Sequence, residues 1–183
     1  MNFEKLKNSL VDTIAEQQLK IGYRSEKVEL YYPASSLKNL LGIHGDQPQL
    51  ETALQEFAQN VKDELGELEI AHKGERFRIV IPKQGSEYIH AHVKNMAFLQ
   101  EFITAIASHG CGFEDIRKLF CKYSDCVHIL KMEHEEFDYC FYFEDGKPDA
   151  YRYCVAFEEG HAIYHRFTIE DYEEFGFRKG ETI

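Results

Sequence analysis

Apolar residues recur along this chain with two different periods, and the switch between them outlines the architecture. Phe3, Leu6, Leu10, Val11 and Ile14 fall on one face at helical spacing, so a helix over 2–20 is expected, ended by Gly22. Residues 27–32 alternate and are β-prone, and Pro33 stops them. Ser35 or Ser36 is positioned to cap a short helix with Leu37, Leu40 and Leu41 inward and Gly42 at its C-terminus. Asp46 is positioned to cap a longer one over 47–65 with the stripe Leu50, Leu54, Phe57, Val61 and Leu65. The period then drops to two. Leu68 and Ile70, then Phe77, Ile79 and Ile81, flank Lys73-Gly74-Glu75 as a hairpin.

Helix, strand, helix, helix, hairpin is the element order of a winged helix, a winged-helix-like unit being expected over 1–85. Lys83-Gln84-Gly85-Ser86 reads as the boundary, with Ser86 capping a long helix to about 108. A shorter helix over 113–123 follows, so a helical hairpin leads into the C-terminal part, 86–183. Strands are expected at 127–132, 137–143, 151–157 and 162–167, followed by a last helical turn or two capped by Thr168. The fold class is thus α+β, with two helices and a C-terminal antiparallel β-meander after the first unit.

Within the meander, Phe137, Tyr139, Phe141 and Phe143, and Tyr151, Tyr153, Val155 and Phe157, mark an inner face. Phe141 opposite Tyr153 would place Cys140 opposite Cys154, either as two packed thiols or as a bridge under oxidation. Glu158-Glu159-Gly160 fits a three-residue turn that sets Phe157 opposite His161 and brings His161, Ile163, His165 and Phe167 inward. A two-residue turn would shift the register by one and turn both histidines outward.

Charge narrows the list of partners. The net charge is −11. Residues 1–85 hold 11 Lys+Arg against 13 Asp+Glu, and 86–183 hold 10 against 19. The acidic half repels phosphate backbones and anionic membranes, so nucleic acid is a reading for the first half only. There, Lys73, Arg76, Arg78 and Lys83 are the candidate contacts, opposed by Glu51, Glu56, Asp63 and Glu64, which make the third helix anionic. Five cysteines, an N-terminus unlike a signal peptide, and no apolar run of membrane-spanning length point to a cytoplasmic protein with reduced thiols.

Candidate chemistry is scattered. His90-Ala91-His92 diverges on a helix, Cys121-x₄-Cys126 with His128 is a single knuckle, and Glu133-His134-Glu135-Glu136 lacks helical zinc spacing, so no metal site and no cofactor is implied. Phosphate-loop, dinucleotide and nucleophile-elbow motifs are absent. The small-molecule reading rests on Tyr153, His161 and His165 with Arg152 or Arg166 as anion partners.

Two stretches, Ile21-Gly22-Tyr23-Arg24-Ser25-Glu26-Lys27-Val28-Glu29-Leu30-Tyr31-Tyr32-Pro33 and Glu159-Gly160-His161-Ala162-Ile163-Tyr164-His165-Arg166-Phe167-Thr168, resemble an uncharacterised bacterial family of about this length, a domain of unknown function. The resemblance implies no activity, ligand or catalytic residue. The reading that remains is a non-enzymatic binding or regulatory module working through a protein partner or self-association, with a DNA-binding regulator and a small-molecule binder or enzyme as alternatives.

Overall fold

A computed structural model describes residues 1–93 and 96–177. The chain is mixed α+β and divides into two compact units, Met1–Lys94 and Asn95–Ile183. The expected boundary at 83–86 falls inside the first of them.

In the first unit, α1 (Phe3–Ile21) begins where the Asn2 side chain accepts a hydrogen bond from the Lys5 amide, and it buries Leu6, Leu10 and Ile14. β1 (Val28–Pro33) runs directly into α2 (Ala34–Leu41). Proline at the junction is already fixed near the φ it needs, so α2 starts one residue before the expected serine caps and has no side-chain cap. Gly42 closes α2 at φ 67°. The Asp46 carboxylate accepts from the Gln49 amide while the Gln49 side chain accepts from the Asp46 amide, a complete capping box at the start of α3 (Gln47–Asn60). The expected 47–65 helix breaks at Val61, and α4 (Lys62–Leu65) is a separate turn.

β2 (Glu69–Lys73) and β3 (Arg76–Ile81) form the hairpin around Gly74-Glu75, with Gly74 at φ 59°. β1 joins the other edge of β3, giving an antiparallel β1-β3-β2 sheet. One face of it buries Phe77, Ile79 and Ile81, and the other presents Tyr31, Lys73, Arg76 and Arg78.

The long helix expected over 86–108 is two helices. α5 (Lys83–His92) starts after Pro82, packs on α1 and α4, and belongs to the first unit. Ser86 is not its cap. It lies buried inside α5, where its hydroxyl and carbonyl oxygens accept from the Gln18 amide. Gly85 permits this packing, since a Cβ there would stand 2.2 Å from the Leu65 carbonyl oxygen and 2.6 Å from Ile81.

In the second unit, α6 (Ala97–Ile106) and α7 (Phe113–Tyr123) lie on one face of an antiparallel sheet ordered β4-β5-β6-β7: β4 (Val127–Lys131), β5 (Tyr139–Phe143), β6 (Arg152–Glu158) and β7 (His161–Phe167). Phe98, Phe102 and Phe120 meet Phe143 and Tyr153 in edge-to-face and stacked contacts between 4.8 and 5.6 Å. This is the expected inner face except for Phe137, which precedes β5 and packs instead on the opposite face with Cys140, Cys154 and Phe167.

The opposite face is covered as well. Thr168 caps α8 (Ile169–Glu174) by accepting from the Asp171 amide, and Tyr172 and Phe177 pack over Met132, Cys140, Cys154 and Phe167. Cys140 and Cys154 stand opposite each other, as expected, as free and fully buried thiols.

Replacing Gly85 by Ala overpacks a contact made by backbone, so it is expected to cost about 1–3 kcal/mol. Chemical denaturation of the G85A variant measures this. Stability equal to the wild type would mean that α5 does not approach α4 this closely.

Candidate functional site

The register of β7 on β6 determines which side chains share a surface. The turn is the two-residue Glu159-Gly160, with Gly160 at φ 79°, and it sets Glu158 opposite His161 and Cys154 opposite His165. The three-residue turn expected from the sequence is overturned. Its first residue, Glu158, instead extends the β6 ladder and gives one more pair before the chain reverses. With the parity changed, Ala162, Tyr164 and Arg166 join Tyr153 and Val155 on the helix-covered face. His161, Ile163 and His165 turn away from it, and Ile163 is left 50% exposed.

The five residues of the small-molecule reading therefore part company. Tyr153 and Arg166 remain together as a cross-strand pair. The Tyr153 hydroxyl donates to the Asp149 carboxylate at 2.5 Å, and the Arg166 guanidinium lies 4.0 Å from the centre of the Tyr151 ring. Burial and the Asp149 carboxylate push the Tyr153 hydroxyl well above the usual phenol range, while Arg166 pulls it back. Tyr153 is buried in the aromatic core while Asp149 and Arg166 are half-buried, and the Tyr153–Asp149 hydrogen bond ties the loop before β6 to the sheet. Arg152 lies on the other face with its guanidinium 3.5 Å from the centre of the Tyr142 ring. His161 is at the strand entry, its ring 5.6 Å from that of His109.

His165 borders a different site. The segment between β4 and β5 supplies Glu133, His134, Glu135, Glu136 and Phe137, β7 supplies His165 and Phe167, and the chain beyond α8 supplies Phe175 and Phe177. Together they line an open groove of about 580 Å³. Its floor is continuous: Phe167 lies 5.3 Å from both Phe175 and Phe177, Phe137 lies 6.2 Å from Phe167, and His134 stacks on Phe137 at 5.5 Å. The Glu136 amide donates to His134 Nδ1, which holds that ring over the aromatic floor. Phe175 is 71% exposed. None of the three carboxylates has an ion pair among the described residues. In the sequence, 133–136 stand out only as a run of carboxylates and imidazole without helical zinc spacing. The missing signal was the spacing of Phe167, Phe175 and Phe177, which lie far from 133–136 in sequence and meet them only once α8 folds back.

In the first unit the candidate nucleic-acid contacts do not form one cluster. Lys73 and Arg76 face each other across the hairpin tip, with Arg76 5.3 Å from the Tyr31 ring. Arg78 is held by Glu29 through two hydrogen bonds of 2.8 and 3.0 Å, and Arg78 and Lys27 lower the Glu29 carboxyl to about 2. Lys83 is beyond the far end of β3, 3.6 Å from Glu87. The expected anionic face of the third helix is also altered. Glu51 contacts His72 and Gln47, and Glu64 binds Lys7 and Tyr88, leaving Gln49, Thr52, Gln55, Glu56 and Gln59 exposed on α3.

Among the described residues no group of three or more His, Cys, Asp or Glu side chains is arranged to hold a metal ion, and no helix is long and apolar enough to cross a membrane. His90 stacks on Tyr23 and His92 on Tyr88, while His128 contacts Glu144.

Comparison with known families matches residues 3–176 to a model described as "Domain of unknown function, E. rectale Gene description (DUF3877)". No curated protein and no solved structure matches the chain.

Two outcomes are expected from the buried groups. Tyr153→Phe removes the hydroxyl that donates to one oxygen of the Asp149 carboxylate, whose other oxygen still accepts from the Tyr151 amide, and should cost about 1–3 kcal/mol in denaturant titrations. The hydrogen bond between Cys140 and Cys154, together with burial, raises the Cys154 thiol far above its ordinary value. Iodoacetamide should therefore modify the exposed Cys121 and Cys126 in the native protein and spare Cys140 and Cys154, as read by peptide mass mapping.

Proposed function

For this chain, which belongs to the DUF3877 family, we propose a non-enzymatic binding module whose C-terminal unit captures the cationic side chains of a protein partner in the groove between Phe137, Phe167, Phe175 and Phe177. The observation that carries this reading is the combination of an exposed aromatic floor with Glu133, Glu135 and Glu136 at its edge. The π-faces carry partial negative charge and attract a guanidinium or ammonium by about 0.5–2 kcal/mol each, depending on desolvation. Carboxylates at the rim add charge-assisted hydrogen bonds and disfavour anions. The groove contains no nucleophile positioned beside a base, so capture rather than chemistry is what its residues support.

The first unit is read as winged-helix-like. In its support stand the order α1-β1-α2-α3-α4-β2-β3, with α4 a single turn, and the pairing of β1 with β3. Its role in this proposal is protein contact. A nucleic-acid role has less behind it, because only Lys73 and Arg76 of the four candidate cations are without an ion pair among the described residues.

Titration of the protein with N-acetylarginine amide, followed by NMR or calorimetry, tests the groove. Saturable binding is expected. Glu133→Gln, Glu135→Gln and Glu136→Gln together should weaken it by about tenfold, or 1.4 kcal/mol, and Phe175→Ala should weaken it as well. Binding unchanged in both variants would sink the proposal.

A further inference from the structure

The tip of the β2–β3 hairpin carries an uncompensated strain. Lys73 and Arg76 are directly opposite each other in the ladder, and like charges in that relation are destabilising. Neither has an ion pair among the described residues, whereas the next cation along the same face, Arg78, is neutralised by Glu29. Beside them stands Tyr31, 53% exposed, on a shallow hollow of about 540 Å³ floored by Ala71. Two cations without an ion pair among the described residues and one large aromatic side chain thus share a small surface, with the exposed Glu75 in the turn between the cations.

The groove of the second unit has the complementary deficits. It holds three carboxylates without ion pairs and an apolar side chain, Phe175, 71% exposed. Large exposed hydrophobic residues are few among the described residues, and each of these two patches contains one of them. The charge division agrees, since the acidic excess lies overwhelmingly in the C-terminal half.

We infer that the cationic partner of the groove is a second copy of this chain, which presents its β2–β3 hairpin so that Lys73 and Arg76 meet Glu133, Glu135 and Glu136 and Tyr31 covers Phe175. This rests on the groove reading above. Different surfaces meet in such a contact, so it is heterologous, and the assembly keeps one free hairpin at one end and one free groove at the other unless a ring closes. Added salt weakens it, because charges at its rim are screened over roughly 10 Å at 0.1 M ionic strength.

Sedimentation velocity on the full chain at low salt tests the inference. The mean mass should rise with concentration and fall on adding salt. Lys73→Glu with Arg76→Glu, and separately Glu133→Gln with Glu135→Gln and Glu136→Gln, should each give a monomer, because each removes one of the two surfaces. Mixed together, these two variants should form a one-to-one complex that grows no further, since only one intact hairpin and one intact groove can meet. Circular dichroism of each variant establishes that it is folded. A wild type that stays monomeric throughout, or variants that do not pair when mixed, overturns the inference. If N-acetylarginine amide still binds the hairpin variant in that case, the groove reading survives and only the identity of the partner falls. If it does not bind, both fall.

Discussion

Cys154 pairs with His165, and Glu158 with His161. Side chains alternate along a strand, so this pairing is a parity, and shifting it by one residue would exchange every contact that β7 makes. As it stands, Arg166 lies beside Tyr153 under the helices, and His165 and Phe167 lie on the far side. Phe167 is then available as the surface on which Tyr172, Phe175 and Phe177 settle. Both the second hydrophobic core and the groove follow from the turn at Glu159-Gly160.

A sheet buried on both faces explains an oddity of the sequence. Strands with one wet face alternate apolar and polar residues, but β5 reads Tyr-Cys-Phe-Tyr-Phe and β6 reads Arg-Tyr-Cys-Val-Ala-Phe-Glu. The intervening cysteines lie beneath Tyr172 and Phe177 of α8 and the segment after it. The two cysteines are packing residues, and the hydrogen bond to Cys140 together with burial keeps the Cys154 thiol protonated.

Much of the fold was legible in the residues themselves. Asp46 with Gln49, Gly42 and Thr168 are local signals whose hydrogen bonds or backbone angles do not depend on distant chain, and the structure contains each of them. The order of elements and the Cys140–Cys154 register were legible for the same reason. Errors arose where distant contacts decide. Residues 83–108 carry a helical pattern throughout, and nothing local in Val93 to Met96 announces that the helix ends. The choice between two turn lengths at Gly160 depended on which face of β7 could be covered, and α8 covers the face that the alternation pattern left polar. The groove was illegible because its acidic edge and its aromatic floor come from segments that a whole meander separates. Of the five small-molecule candidates, only Tyr153 and Arg166 meet, with Tyr153 buried in the core and Arg166 half-buried beside it.

The placement of α5 bears on how the protein can be taken apart. Gly85 rests against the Leu65 carbonyl, and Ser86 receives Gln18 from α1. A fragment ending at residue 85 would therefore forfeit one wall of its own hydrophobic centre and leave the Gln18 amide with its two acceptors gone. Severed after α5, the N-terminal portion keeps both of these contacts, and the C-terminal portion begins with the helix that supplies Phe98 and Phe102.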